Sequence, residues 1–104
     1  MQVERRRTDR LEYTIALNVR GSEKGGTPYQ FKTVVQNIGA GGLCAFAPRM
    51  MRIGERLSLR VRFAHPGSTA QAPEISLRGR VVRTEERPDG LCRFAASFLL
   101  RRVA

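Results

Sequence analysis

The chain has no tryptophan, one histidine and only two cysteines among its 104 residues. Each shortage excludes a class of function. His65 sits in a loop-like His65-Pro66-Gly67 stretch, and neither a Ser-His-Asp nor a Cys-His catalytic arrangement assembles around it. Cys44 and Cys92 lie far apart and form no CxxC pair, so with one histidine they supply too few soft ligands for a zinc site. They read as reduced, packing cysteines. No apolar run approaches the ~18 residues that span a bilayer, and none follows the basic N-terminus as a secretory signal requires. The expectation is a soluble, cytoplasmic, non-enzymatic protein with no metal, no cofactor and no membrane insertion.

Lysine is also scarce: Lys24 and Lys32 are the only two, and the other 17 of the 19 basic residues are arginine. Against 9 acidic residues this gives a formal net charge of +10, which points to an anionic partner such as nucleic acid, a membrane surface or a phosphorylated small molecule. The charge is dispersed. Residues 1–10 hold four arginines less Glu4 and Asp9, a net of +2; Arg56, Arg60 and Arg62 less Glu55 give +2; Arg78, Arg80 and Arg83 add +3. Hydrophobic residues make up 41%, too many for a disordered basic tail.

The apolar residues alternate. Leu11, Tyr13, Ile15, Leu17 and Val19 occupy every second position, which is a half-buried strand over 11–20. Gly21 to Pro28 is a turn, and a second strand follows at 29–37. Asn37-Ile38-Gly39-Ala40-Gly41-Gly42 breaks the pattern, its three glycines implying a tight connection whose backbone a side chain would resist. A short strand over 43–47 leads to a turn at 48–54. In the fourth strand, 55–64, Leu57, Leu59, Val61 and Phe63 face one way and Arg56, Ser58, Arg60 and Arg62 the other. A loop from His65 to Pro73 precedes a fifth strand at 75–84, where Gly79 suggests a bulge or a close backbone approach. The sixth covers 91–98, and a short tail follows from Leu99. Tyr13, Phe63 and Phe98 are expected in the core. Six short strands separated by turn signals predict an all-β fold, a six-stranded antiparallel barrel over 11–104 preceded by a flexible arginine-rich arm over 1–10. Closure is favoured because it removes exposed edges.

Two elements carry chemistry. Arg5, Arg6 and Arg10 have RRxxxR spacing, with Arg7 as a further charge. A guanidinium can fork two hydrogen bonds onto a phosphate or onto the O6/N7 edge of guanine, and it can stack on a base. Alone, the cluster equally describes a solvated tail. The glycine stretch matches neither GxGxxG nor GxxxxGK[ST], and a tight turn explains it; yet Asn37 offers a donor and an acceptor, and glycines let a ligand approach the backbone closely.

Together the two resemble the motifs of the PilZ domain family: RxxxR before the first strand, here Arg6-Arg7-Thr8-Asp9-Arg10, and [D/N]xSxxG before a short strand, here Asn37 to Gly42. Gly79-Arg80-Val81-Val82-Arg83 and the strand ending in Phe98 are similar to the family's fifth and sixth strands, so the likeness covers nearly the whole chain, as a stand-alone domain. The resemblance implies a six-stranded barrel acting as a non-catalytic receptor for cyclic di-GMP. It implies that Arg5, Arg6 and Arg10 wrap the phosphates and guanine edges, while Asn37, Gly39 and Gly42 form the barrel's contact with a guanine. It also implies a downstream protein partner. One departure stands out: the family serine is Gly39 here. A lost hydroxyl contact costs about 1–3 kcal/mol, roughly five-fold to hundred-fold in affinity.

Two rival readings exist. One is a PilZ-like protein-interaction adaptor with weak or no nucleotide binding, for which Gly39 is the hint. The other is a small barrel binding single-stranded nucleic acid, which the charge allows but the shortage of aromatics opposes, because such surfaces stack bases on exposed rings. No specific nucleic-acid partner is expected.

Overall fold

Alternation fixes which side of each strand meets the core, and the strands then settle which edges meet. The computed structural model describes residues 14–64 and 73–99. In β1 (Thr14–Ser22), Leu17 and Val19 are fully buried and Ile15 packs against them. The proposed first-strand residues Leu11 and Tyr13, the arm and the chain beyond Leu99 lie outside the described residues. β2 is Pro28–Ile38, β3 Gly42–Ala47, β4 Arg56–Ala64, β5 Glu74–Glu86 and β6 Cys92–Phe98. All pairings are antiparallel, in the order β1-β2-β3-β6-β5-β4, and β4 returns to β1 to close the barrel. Closure leaves no strand edge to template pairing with another chain.

The core is apolar throughout. Leu17, Val19, Leu59, Val61, Val81 and Phe94 are its large members, and no polar or charged described residue is buried with them. Each such side chain contributes about 1.5–3 kcal/mol on leaving water. Phe98 packs against this core as expected, but Phe63 is 37% exposed at the barrel's end. Its inward parity is right, but it lies past the last β4–β5 pair, Arg62 with Glu74. Cys92 is buried and Cys44 half-buried, both with free thiols.

Two register shifts re-aim side chains. One falls between Val35 and Asn37 in β2, so Val35 and Ile38 both turn inward and Asn37 turns out. The other falls between Val81 and Arg83 in β5, leaving Val82 as the extra residue. Gly79 is therefore not itself the bulge. It is a close approach: an added Cβ would lie 3.0 Å from Leu59 Cδ1 and 3.2 Å from the Ser97 carbonyl oxygen.

At the start of β2 a polar cluster ties the turns together. The Tyr29 hydroxyl donates to Glu55 Oε2 at 2.6 Å, and the Arg49 guanidinium lies 3.8 Å over the Tyr29 ring while pairing with Glu23 at 2.9 Å. Glu55 Oε1 also accepts the Arg52 N–H at 2.6 Å. Burial, then the hydrogen bond to Glu55 and its charge, hold the Tyr29 phenol far above its ordinary value.

Candidate functional site

Asn37 and the glycines occupy the opposite end of β2. Ala16 pairs with Val34, so Thr14, which begins β1, enters at the end where β2 runs out through Asn37. Arg5, Arg6 and Arg10 lie outside the described residues; Asn37, Gly39 and Gly42 can be followed across the sheet.

Register links them to the far strands in two parallel rungs. Asn37 stands opposite Cys44, Cys44 opposite Ala95, and Ala95 opposite Arg83. The second rung starts at Gly39, whose N–H donates to the Gly42 carbonyl at 2.9 Å. Gly42 stands opposite Ser97 and Ser97 opposite Arg80. Each rung takes three inter-strand steps of about 4.8 Å and so follows half the circumference of the six-stranded barrel. Alternation makes Gly42, Cys44, Ala95 and Ser97 face outward, so the floor between Asn37 and the two arginines holds only small side chains. A depression of about 260 Å³ opens over the Cys44, Ala95 and Arg83 part of the first rung, lined also by Thr84, Glu85, Arg93 and Phe94. Arg93 reaches from β6 across β3, donating to Gln36 Oε1 of β2 at 3.1 Å, and lies 3.7 Å from Glu85 Oε1.

The rungs thus carry an amide with donor and acceptor on β2, small side chains on β3 and β6, and the guanidinium groups of Arg80 and Arg83 on β5. Amide and guanidinium groups of this kind can hydrogen-bond an anionic ligand. Among the described residues no group of histidine, cysteine and carboxylate side chains is arranged to hold a metal. No helix of the described residues is long and apolar enough to cross a membrane.

The three glycines differ in what they are for. None has the positive φ that the sequence pattern suggested; among the described residues that conformation belongs to Gly26, Gly54 and Gly90. A Cβ at Gly42 would run into the Ala96 carbonyl oxygen, with the Ala96 carbon and Ser97 Cα at 3.2 Å, so β6 forbids any side chain there. Gly41 accepts the Phe98 N–H at 2.8 Å, pinning the turn to β6. Gly39 has open space: a Cβ there would meet nothing within 4 Å. The expected tight connection exists, and close packing of β6 rather than turn conformation makes glycine necessary at Gly42.

Arg80 and Arg83 were not legible as one group. Three residues apart on a regular strand they would face opposite sides; the extra residue Val82 turns both outward. The signal that could have found them is the apolar Val81-Val82 pair, which cannot both be core in a strand with one wet face.

A family model described as PilZ domain matches residues 4–101. No curated protein and no solved structure matches the chain. The chain belongs to the PilZ domain family, and the closed six-stranded barrel accords with that membership.

Proposed function

We propose that this PilZ domain is a receptor for cyclic di-GMP, the nucleotide of its receptor family, and that it binds on the two-rung face of β2, β3, β6 and β5. One observation carries the reading: register joins the motif residues Asn37, Gly39 and Gly42, through the small outward side chains of β3 and β6, to Arg83 and Arg80. The Asn37 amide addresses a guanine edge, which pairs one donor with one acceptor. Arg83 and Arg80 carry the forked donors that phosphate and guanine accept. Arg5, Arg6 and Arg10 close over the ligand from the chain leading into Thr14. Bound between arm and barrel, the nucleotide orders the arm and alters the surface shown to a protein partner.

Calorimetric titration with cyclic di-GMP tests this. Arg6→Ala, Arg10→Ala and Arg83→Ala each weaken binding by about 1.5–3 kcal/mol, the worth of a hydrogen bond to a charged group. Parent-like binding by all three variants overturns the site. Amide exchange over residues 1–12 checks the relay, which fails if protection is unchanged by ligand.

Gly39 favours a second reading. With no hydroxyl at that position, the same barrel serves as a protein-interaction adaptor of weak nucleotide affinity. The absence of any heat or stabilisation at near-millimolar nucleotide selects it.

A further inference from the structure

The outer surface of β1, β4 and β5 carries a second concentration of charge. On β4, Arg56, Ser58, Arg60 and Arg62 face out, as the alternation predicted, and register sets each against a partner on β5. Arg62 stands opposite Glu74 and Arg60 opposite Ser76, while Ser58 stands opposite Arg78 and Arg56 opposite Arg80. On the other side Arg20 of β1 also stands opposite Ser58. Arg20 and Arg78 thus flank one serine, and the next rung along sets two arginines directly against each other. Like charges in directly opposed cross-strand positions destabilise a sheet.

The first of these rungs shows what the rest lack. Arg62 holds the Glu74 carboxylate at 3.2 Å. Arg49, Arg87 and Arg93 also have carboxylates within 4 Å, whereas among the described residues Arg20, Arg56, Arg60, Arg78 and Arg80 have none. Between Arg20, Arg60 and Arg78 lies a groove of about 320 Å³, lined also by Asn18, Ser58 and Ser76 and by Leu59 and Leu77. It shares no lining residue with the depression over Cys44 and Ala95.

We infer that this groove docks an acidic segment of a partner protein, its Asp or Glu side chains taking the place that Glu74 takes on Arg62. Charge complementarity argues for an anion, and the lining argues for which one. No aromatic ring lines the groove, so bases of single-stranded nucleic acid would find nothing to stack on. None of the exposed large apolar side chains lines it either, so the groove lacks the apolar anchors that strengthen binding to a bilayer surface. Hydroxyl and amide groups on the floor can take up peptide N–H and C=O groups between carboxylate contacts. This inference stands apart from the nucleotide reading, since none of the groove's lining residues belongs to the two rungs.

The test measures binding of the full chain to three fluorescein-labelled probes by anisotropy at low ionic strength: a twelve-residue Glu/Ser peptide, the matching Gln/Ser peptide and a twelve-nucleotide oligothymidine. The acidic peptide binds and the Gln/Ser peptide does not. Replacing Arg20, Arg60 and Arg78, the three arginines of the groove, together by Gln weakens the acidic peptide about tenfold or more. Replacing Lys24, Arg52 and Arg87 by Gln removes the same charge elsewhere and changes binding by no more than about twofold. The single variant Arg78→Gln, expected to lose about threefold, keeps the test open if the triple variant folds poorly. Equal loss in both triple variants, absence of acidic-peptide binding, or tighter oligothymidine binding that the groove variant abolishes would each overturn the inference. Cyclic di-GMP titration of the groove variant stays parent-like if the nucleotide reading is right, so the two proposals fail separately.

Discussion

Substituting Gly42 and Gly39 one at a time separates fold from ligand within a single motif. In Gly42→Ala the new methyl meets the Ala96 carbonyl oxygen, and carbon–oxygen contacts settle at about 3.3 Å, so β6 must retreat by about 1 Å. Both neighbours on that side are backbone, with no flexible side chain to yield. The retreat strains the Gly42–Ser97 pairing and the Phe98 N–H to Gly41 bond, 2.8 Å in the parent. Overpacking of this kind costs about 1–3 kcal/mol, and each hydrogen bond lost adds about 0.5–1.5 kcal/mol. A total near 3 kcal/mol lowers Tm by about 12–24 °C in a domain of this size. In Gly39→Ser the side chain enters open space at a residue without positive φ, so stability changes by no more than about 0.5 kcal/mol. The added hydroxyl raises cyclic di-GMP affinity about fivefold. Thermal melting followed by circular dichroism reads the first effect and calorimetry the second. A Gly42→Ala protein that melts like the parent would refute the packing of β6 on β3, and with it the two-rung surface. Gly39→Ser with unchanged affinity would remove Gly39 from the ligand contact.

At the other end of β2, Tyr29→Phe costs about 1.5 kcal/mol in urea unfolding, because Glu55 loses the phenol but keeps the Arg52 N–H. The folded phenol titrates above the unfolded one, so Tyr29 contributes stability below about pH 10 that is lost as pH rises further, and the phenylalanine variant lacks that added alkaline loss. An identical alkaline limb in both proteins contradicts the cluster. On the proposed ligand floor, Cys44 is half-buried and Cys92 buried, so maleimide reacts with Cys44 first. Saturating cyclic di-GMP then slows Cys44 alkylation; an unchanged rate argues against a ligand on this face.

Strand identity and facing were legible because alternation is a local property. Leu57, Leu59 and Val61 turned inward and Arg56, Ser58, Arg60 and Arg62 outward as the pattern required. Alternation says which face a residue occupies and nothing about which strand lies beside it. That β6 sits between β3 and β5 could not be read, so neither could the rungs joining Asn37 to Arg83 and Gly42 to Arg80. The bulge at Val82 hid the second arginine for a further reason: one extra residue reverses every facing after it. Extrapolating alternation misassigned Phe63, because it lies past the last β4–β5 pair.

The motif's departure from its family can now be weighed physically. A glycine in place of serine could mean that the backbone at that point demands glycine, with the ligand contact sacrificed to the fold. The structure removes that explanation: Gly39 has no positive φ and nothing within 4 Å of an added Cβ, whereas Gly42, the first residue of β3, cannot carry a side chain at all. The fold constrains the last glycine of the motif and leaves the first free. In the proposed site, loss of the hydroxyl therefore acts on the ligand side alone, where about 1 kcal/mol is a fivefold change in the nucleotide concentration needed for half-occupancy. The receptor and adaptor readings differ in affinity rather than architecture, and Gly39→Ser moves the chain along that axis without disturbing the barrel. If affinity rises in that variant, Gly39 sets the concentration at which this domain responds.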